Sequence, residues 1–330
     1  MEKYISIIIP SYNKAATIGK CLAAAFSSDY KNFEVIVVDD CSEDNSVEII
    51  KGFPCKLIRL ETRSGTSRAR NLGARNSSGD IIFFTDADCL LQENTLSIAN
   101  RMLTATGPDV VIGGTYTKIP YDRKFFSIFQ SVFINYSETR KVENPDYIAA
   151  HTMLIDAETF RKSGGFPEEF LPIIEDVEFS HRLRRRGYKL LMNPEIQVQH
   201  IFDFSFLRSV CNAFRKTAYW CMYSLQNGDL LADSGTASIE FKANAGLFFL
   251  SLFLFAFWLV IQKNSLLYPV PVIFLFSAFI GRKLLKAFFE ARGALFAGLA
   301  FAYYIMIYPV PVGLGTITGM LNFLVKKQLK

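Results

Sequence analysis

The chain has 330 residues, half of them hydrophobic, and its 36 basic and 31 acidic side chains give a net charge of +5. This length accommodates one large domain or two smaller units. Most of the sequence after Ala243 is apolar, and most of the basic clusters flank apolar segments, which favours a membrane surface over nucleic acid as the partner. The six cysteines show neither a C-x-x-C pair nor metal-ligand spacing, so reduced thiols are expected.

Strand and helix patterns alternate over the first 85 residues. The expected strands are 4–10, 33–38, 55–60 and 81–85, and the expected helices between them are 15–26, 47–52 and 67–76. Both faces of the second strand, FEVIVV, are apolar, as in a parallel sheet that is covered on both sides. This alternation predicts a doubly wound α/β sheet, in which ligands bind outside the carboxyl ends of the strands.

Polar segments follow three of these strands, at Pro10–Tyr12, Asp39–Asp40 and Asp86–Asp88. In an extended chain the side chains of Asp86 and Asp88 point to the same side. They can therefore converge on one hard cation, Mg2+ or Mn2+, with the diphosphate of a nucleotide as a further ligand. For a single D-x-D pair, a solvated turn is the alternative interpretation.

Five segments resemble, in order and approximate spacing, the inverting family 2 nucleotide-sugar glycosyltransferases with the GT-A fold. They are IIIPSYN, VVDDCSEDNS, GTSRARNLGARNSSGDIIFFTDADC, SGGFPEEF and EDVEFSHRLRRRGYKL. The resemblance covers roughly residues 4–202 and implies a GT-A catalytic domain over residues 1–203. It also implies an NDP-sugar donor, expected to be a UDP-sugar.

On the donor side, the resemblance places Pro10, Tyr12 and Asp40 around the base and the ribose. The carboxylate of Asp40 can accept hydrogen bonds from a uracil N–H or a ribose hydroxyl. A helix cap is the alternative for Asp40, and it is the better interpretation for Asp39.

Arg70 matches the family's diphosphate-side arginine, whose guanidinium binds phosphate oxygens with a fixed geometry. Arg68 is a close competitor, and a surface charge is the alternative for both. The resemblance makes Asp86 and Asp88 hold the nucleotide through Mg2+ or Mn2+, with Asp88 as the direct ligand. His200 is a further candidate ligand, although a single histidine is more often structural.

On the acceptor side, Glu175 and Asp176 precede an amphipathic helix. Two carboxylates there also suit the positive end of the helix dipole, which is the structural alternative. The family's general base falls on Asp176, which would take the proton from the acceptor hydroxyl. Gly164 and Gly165 resemble the turn beside the acceptor pocket, where glycine lets the backbone approach a sugar; a plain tight turn is the alternative.

The remaining sequence is predicted to contact a lipid bilayer. Residues 204–243 read as an interfacial amphipathic helix and a linker, with a helix packed on the catalytic core as the alternative. Residues 244–330 are expected to form three or four transmembrane helices, because a crossing needs about 20 apolar residues. The uncharged runs are 244–262, 264–281 and 293–325, with a basic loop at 282–292.

The run 293–325 exceeds a hydrocarbon core of about 30 Å, and Pro309 interrupts it, so two crossings are predicted there and four in total. The positive-inside rule then places the basic loop and the lysines after Val325 on the side of the catalytic domain. We therefore expect a multi-pass membrane protein with the catalytic domain on the cytoplasmic side, and the resemblance implies a bacterial inner membrane.

Together with the resemblance, these observations predict a membrane-anchored inverting glycosyltransferase. The resemblance implies a membrane-associated, lipid-linked acceptor in envelope or exopolysaccharide synthesis. The QxxRW motif of processive synthases is absent, which favours the addition of a single sugar. One alternative is a nucleotidyltransferase, for which PSYNKAATIGK is a poor match to the expected glycine-rich, lysine-containing loop. The other is a catalytically inactive, membrane-tethered module that binds nucleotide sugars.

Overall fold

The computed structural model describes residues 2–169 and 173–328, with side chains described as far as Val325. The chain divides into two units. The first comprises Met1–Arg123 and Glu138–Asp203, and the second comprises Lys124–Ser137 and Phe204–Lys330.

The first unit is built on eight strands, β1 Ile5–Ser11, β2 Phe33–Asp39, β3 Lys56–Arg59, β4 Ile81–Phe84, β5 Cys89–Leu91, β6 Val110–Tyr116, β7 Met153–Asp156 and β8 Lys189–His200. The helices up to β8 are α1 Ile18–Phe26, α2 Ser46–Lys51, α3 Thr66–Arg75, α4 Thr95–Thr106, α5 Phe125–Thr139, α6 Ala157–Ser163 and α7 Glu175–Arg185. Helix α5 belongs to the second unit as far as Ser137. All the strands and helices predicted for the first 85 residues are present, with small shifts at their ends.

The strands form one sheet in the order β3-β2-β1-β4-β7-β6-β8-β5. Strands β1 to β4 are parallel, whereas β7 is antiparallel to both β4 and β6. The register places Ser11 beside Asp39, and Phe84 beside Ile8. The carboxyl ends of β1, β2 and β4 therefore meet at one edge of the sheet, as the sequence predicts.

Four buried phenylalanines connect β4 to helices α6 and α7. The ring of Phe84 lies 5.1 Å from those of Phe160 and Phe166, and Phe166 lies 4.7 Å from Phe179. Full burial of one such side chain contributes about 1.5–3 kcal/mol. The cluster holds the start of α7 near the end of β4, and these two places carry the carboxylates of the candidate site.

The second unit is helical, with α8 Phe206–Asn227, α9 Ile239–Ile261, α10 Pro269–Ile280, α11 Arg282–Ala302 and α12 Pro309–Gln328. Helices α8 and α12 pack closely because two glycines of α12 face the backbone of α8. A Cβ atom on Gly315 would lie 2.5 Å from the carbonyl oxygen of Phe214, and one on Gly319 would lie 2.5 Å from that of Ala218. This G-x-x-x-G spacing is typical of helices that approach closely.

Two helical segments are long and apolar enough to be candidate membrane spans by length and composition, Ile239–Ile261 and Arg282–Val325, with a shorter apolar segment at Asn264–Ile280. Large apolar side chains of α9 are exposed, among them Phe253 at 63% and Val260 at 80%. Such exposure suits contact with lipid better than contact with water. The number of crossings and their orientation stay predictions.

The expected basic loop at 282–292 is wrong, because α11 is helical through it, with Leu284 and Phe288 fully buried on one face. The helical backbone is interrupted at Arg292 and Gly293 instead. Pro309 opens α12 directly after a π-helical turn, which is a helix position that proline tolerates. Phe170 of the SGGFPEEF segment and the side chains of the lysines after Val325 lie outside the described residues.

Candidate active site

One buried arginine connects the donor-side and acceptor-side carboxylates. The Nη2 atom of Arg70 donates to Oδ1 of Asp86 at 2.7 Å, and its Nη1 donates to Oε1 of Glu175 at 2.5 Å. Arg70 is 3% exposed, whereas Arg68 points outward from the same helix. The structure therefore selects Arg70 over Arg68, and it excludes the surface-charge interpretation for Arg70.

The arginine affects the two carboxylates differently. Burial raises the pKa of Asp86, but the charges of Arg70 and then His151 oppose it and hold this pKa below its ordinary value. Burial also raises the pKa of Glu175, and there Arg70 only partly offsets it, while the charge of Asp176 adds to it. Asp86 thus stays ionised, and Glu175 is the carboxylate that takes up a proton more readily.

Asp88 lies between a lysine and a histidine. Its Oδ2 accepts from Nζ of Lys14, and its Oδ1 lies 3.3 Å from Nε2 of His200. Burial lowers the pKa of Lys14, but Asp88 and then Asp86 oppose it and hold this pKa above its ordinary value, so the ammonium stays charged. Burial likewise lowers the pKa of His200, against the opposing charge of Asp88, which leaves the imidazole neutral.

The donor set fits a divalent cation. Among the described residues, one group of possible ligand atoms lies within 4.8 Å of one another, from Asp88, Cys89 and His200. Burial raises the pKa of the Cys89 thiol well above its ordinary value, which disfavours the thiolate form that binds metals. Two adjacent octahedral ligands at about 2.1 Å would be about 3.0 Å apart, close to the separation of Asp88 and His200. Asp86, a predicted ligand, is not in this group, and one of its oxygens is bound by Arg70.

The carboxylate of Asp176 is held by backbone amides. Its Oδ2 accepts from the N–H of Ala150 at 3.1 Å, and its Oδ1 accepts from that of Val177 at 2.9 Å. Its position next to Glu175, at the start of α7, places it beside the residue that Arg70 ties to Asp86. The side chain is only partly buried, so a reactant hydroxyl can reach it.

The turn at Gly164 and Gly165 packs against side chains of two helices, α3 and α7. Both Gly164 and Gly165 have positive φ, and a Cβ on Gly165 would lie 2.5 Å from Oδ1 of Asn71. The amide of Asn71 donates to the carbonyl of Phe166 at 2.8 Å, and Nη1 of Arg182 donates to that of Ser163 at 2.6 Å. These contacts favour the tight-turn interpretation of Gly165 and give Arg182 a structural role.

Asp40 supports the loop that precedes α3. Its Oδ1 accepts from the N–H of Ser64 at 2.6 Å and its Oδ2 from that of Gly65 at 2.8 Å, and the residue is 5% exposed. It therefore holds the beginning of the helix that carries Arg70. A direct bond from Asp40 to a nucleotide stays a prediction.

Pro10 lies buried at the end of β1. Tyr12 lies under the guanidinium of Arg63, 4.1 Å from its ring centroid. Their predicted contacts with the base and the ribose stay predictions, as does the acceptor-side role of Gly164.

Sequence reasoning missed a group of buried polar side chains around His151, near the candidate metal ligand His200. The imidazole of His151 lies 3.0 Å from Oε1 of Glu138 and 2.6 Å from Oγ1 of Thr152. It stacks on Tyr116 at 4.0 Å, and the edge of Tyr116 meets His200 at 5.0 Å. The stack fixes the orientation of the His200 ring. No local signal marks it, because it joins residues from three distant segments.

Sequence reasoning also missed Lys14 as a partner of Asp88. A signal was present, because Lys14 lies in the turn after β1, at the sheet edge where Asp86 and Asp88 were expected.

Residues 6–160 match the model of the family described as Glycosyl transferase family 2. Glycosyltransferase AglE of Haloferax volcanii is 30% identical over 200 residues, which cover 58% of this chain and 65% of the relative. WfgD of Escherichia coli, named UDP-Glc:alpha-D-GlcNAc-diphosphoundecaprenol beta-1,3-glucosyltransferase, is 35% identical over 107 residues, 31% of this chain and 42% of the relative. The chain spans less than two thirds of the first curated relatives it matches, at 65%, 31% and 44% of their lengths.

Among solved structures, the mannosyltransferase PcManGT from Pyrobaculum calidifontis, in complex with GDP-Man and Mn2+, is similar to this chain with a TM-score of 0.58 at 17% identity. The similarity covers 99% of this chain and 88% of that one. At this identity the likeness concerns the fold alone. It confirms the mixed α/β fold of GT-A type that the sequence predicts.

Proposed function

We propose that this chain, which carries a glycosyl transferase family 2 domain, is an inverting glycosyltransferase that uses an NDP-sugar, expected to be a UDP-sugar. The observation that carries the proposal is the pair of hydrogen bonds that Arg70 donates, one to Asp86 and one to Glu175. One guanidinium fixes the end of β4, where the donor is expected, against the start of α7, where the acceptor is expected. In the proposal this guanidinium also lies on the diphosphate side of the donor, as the resemblance to the family implies.

In this proposal Asp176 is the general base. The acceptor hydroxyl gives its proton to Asp176 while its oxygen forms a bond to the anomeric carbon. The bond from that carbon to the diphosphate oxygen breaks, and the nucleoside diphosphate leaves from the opposite face. The two backbone N–H groups that hold Asp176 fix its orientation before the substrates arrive.

Asp88 and His200 would hold a divalent cation, Mn2+ or Mg2+, and imidazole as a ligand favours Mn2+ over Mg2+. When bound, the cation neutralises charge on the departing diphosphate. The structurally similar mannosyltransferase PcManGT was solved in complex with GDP-Man and Mn2+, which supports this choice. Pro10, Tyr12 and Asp40 are proposed to surround the base and the ribose.

The proposed acceptor is a lipid-linked saccharide at a membrane, in bacterial envelope or exopolysaccharide synthesis. Two observations support it. The name of WfgD describes transfer to a diphosphoundecaprenol-linked sugar, and two segments of this chain are candidate membrane spans. We propose a multi-pass inner-membrane protein whose first unit lies on the cytoplasmic side.

The proposal is tested by incubating purified full-length protein with a panel of UDP-, GDP- and TDP-sugars and measuring the release of nucleoside diphosphate. We expect release from one donor, and we expect EDTA to abolish it and added Mn2+ to restore it. Absence of release from every donor, in the presence of membranes that supply acceptors, would contradict the proposed activity.

A further inference from the structure

We infer that Lys14 is an exchangeable counter-ion of the candidate metal ligand. Its ammonium neutralises Asp88 while the site holds no donor, and it moves to the donor's diphosphate when a divalent cation binds at Asp88. The inference rests on the proposed function, because it assumes a donor that carries a diphosphate.

The backbone that carries Lys14 is fixed, so that only its side chain can move. The N–H of Lys14 donates to Oγ of Ser46 at 2.7 Å, and the N–H of Ala15 donates to Oδ2 of Asp44 at 3.0 Å. These bonds tie the turn after β1 to the start of α2. A lysine side chain on a fixed backbone still has four flexible carbons, and its ammonium can change partners within a few ångströms.

Two other carboxylates of the site, Asp86 and Glu175, are already paired with a cation. Arg70 serves both Asp86 and Glu175, and Lys14 is the cation in contact with Asp88. The side chain of Lys14 is 38% exposed and that of Arg70 is 4% exposed. Lys14 can therefore leave its carboxylate and remain solvated, whereas departure of Arg70 would leave buried charges unpaired.

The two oxygens of Asp88 explain why a bound cation displaces the lysine. Oδ2 faces Lys14, and Oδ1 lies 3.3 Å from His200 on the ligand side. A divalent cation on Asp88 adds positive charge beside the ammonium, and like charges at this distance repel strongly. A compact ammonium is also a good partner for phosphate oxygens. Cation and diphosphate thus move Lys14 in the same direction, so their binding is cooperative.

The test compares Lys14→Met with the wild-type chain and with a control, Lys20→Met, which removes an exposed lysine in contact with Ala16 and Tyr121. Binding of Mn2+ alone is followed by electron paramagnetic resonance, without nucleotide. We expect Lys14→Met to bind Mn2+ about tenfold more tightly, a difference of about 1.4 kcal/mol. Binding of UDP or GDP without metal should weaken about tenfold in the same variant, with the control unchanged.

A second variant shows whether an effect of Lys14→Met comes from the lost charge or from misfolding. Lys14→Arg keeps a cation beside Asp88, so its Mn2+ affinity should stay near that of the wild type. Unchanged or weaker Mn2+ binding in Lys14→Met would overturn the inference, and so would a lack of Mn2+ binding in all forms. Because these readouts need no turnover, they are separate from the release assay, whose failure would count against the proposed function instead.

Discussion

The Nη2 atom of Arg70 lies 2.7 Å from Oδ1 of Asp86, and this ion pair forms where the fourth strand ends. The other terminal nitrogen of the same guanidinium binds Glu175, at the start of a helix more than a hundred residues further along the chain. The two halves of the site therefore depend on one planar side chain with two parallel donors.

A lysine cannot replace this arginine. Arg70→Lys keeps the charge but offers a single point donor, so one of the two carboxylates loses its partner. We expect kcat/KM to fall about 100-fold, because small displacements of reacting groups have costs of this size. The measurement is the rate of nucleoside diphosphate release, with the exposed Arg68→Lys as the matched control. Equal activity of the two variants would contradict the bridging role.

The carboxyl of Glu175 makes stability depend on pH. Burial holds its pKa above the ordinary 4.5, although Arg70 pulls it down. The folded chain thus keeps a proton that the unfolded chain has released. The contribution of Glu175 to the free energy of unfolding therefore falls as the pH rises from 4.5 through the raised pKa.

This dependence is measured by thermal unfolding in detergent between about pH 4.5 and 8, a range that spans the ordinary carboxyl pKa and neutrality. As the pH rises, we expect the Tm of the wild type to fall relative to that of Glu175→Gln, because glutamine has no proton to lose. Parallel Tm curves for the wild type and the variant would show that the carboxyl titrates normally.

The glycine turn at Gly165 tolerates no side chain. Gly165→Ala places Cβ against Oδ1 of Asn71 at 2.5 Å and forces an alanine to adopt a φ of +70°. Gly65→Ala is the matched control, because its φ is +91° but the space around it is open. Backbone strain alone costs about 1–3 kcal/mol, so both variants lose stability and Gly165→Ala loses more. Denaturation in detergent measures both, and an equal loss would show that the contact with Asn71 is unimportant.

The packing of α12 on α8 predicts opposite signs for two glycine substitutions. Gly319→Ala brings a Cβ within 2.5 Å of the carbonyl oxygen of Ala218, so Tm should fall. Around Gly298, in α11, there is open space. Alanine there should stabilise by up to about 1 kcal/mol through its helix propensity. Stabilisation by both substitutions would disprove the close approach of the two helices.

The sequence was sufficient for the first four strands and for placing Asp86 and Asp88 at the edge where those strands end, because alternating strands and helices bring their ends to one edge. The joint binding of a cation by the two aspartates stays a prediction, because both lie beyond the last residue of β4. The contact of Arg70 with Glu175 was beyond such reasoning. It depends on the phenylalanine cluster, which holds α7 near the end of β4, and on Phe166, whose carbonyl accepts from Asn71 of α3.

The segment 282–292 shows how a charge pattern can mislead. Its basic residues suggested a loop, but Leu284 and Phe288, spaced by four residues, form the buried face of a helix. That spacing is an ordinary helical signal, and it outweighed the charges. For Asp40, the position at the edge of the sheet was predicted correctly. Its hydrogen bonds to Ser64 and Gly65 were not predictable, because they depend on a loop that is distant in the chain.

The most direct test of the central claim is to measure donor binding and nucleoside diphosphate release for Asp176→Asn beside the wild type, with the donor that the panel identifies. Asparagine keeps the shape and the hydrogen bond from Ala150 but cannot take a proton. We expect unchanged donor affinity and a loss of release by about 10²–10⁴-fold, the usual contribution of a general base. Release at the wild-type rate, or an equal loss of binding and release, would contradict the role of Asp176 in inverting sugar transfer.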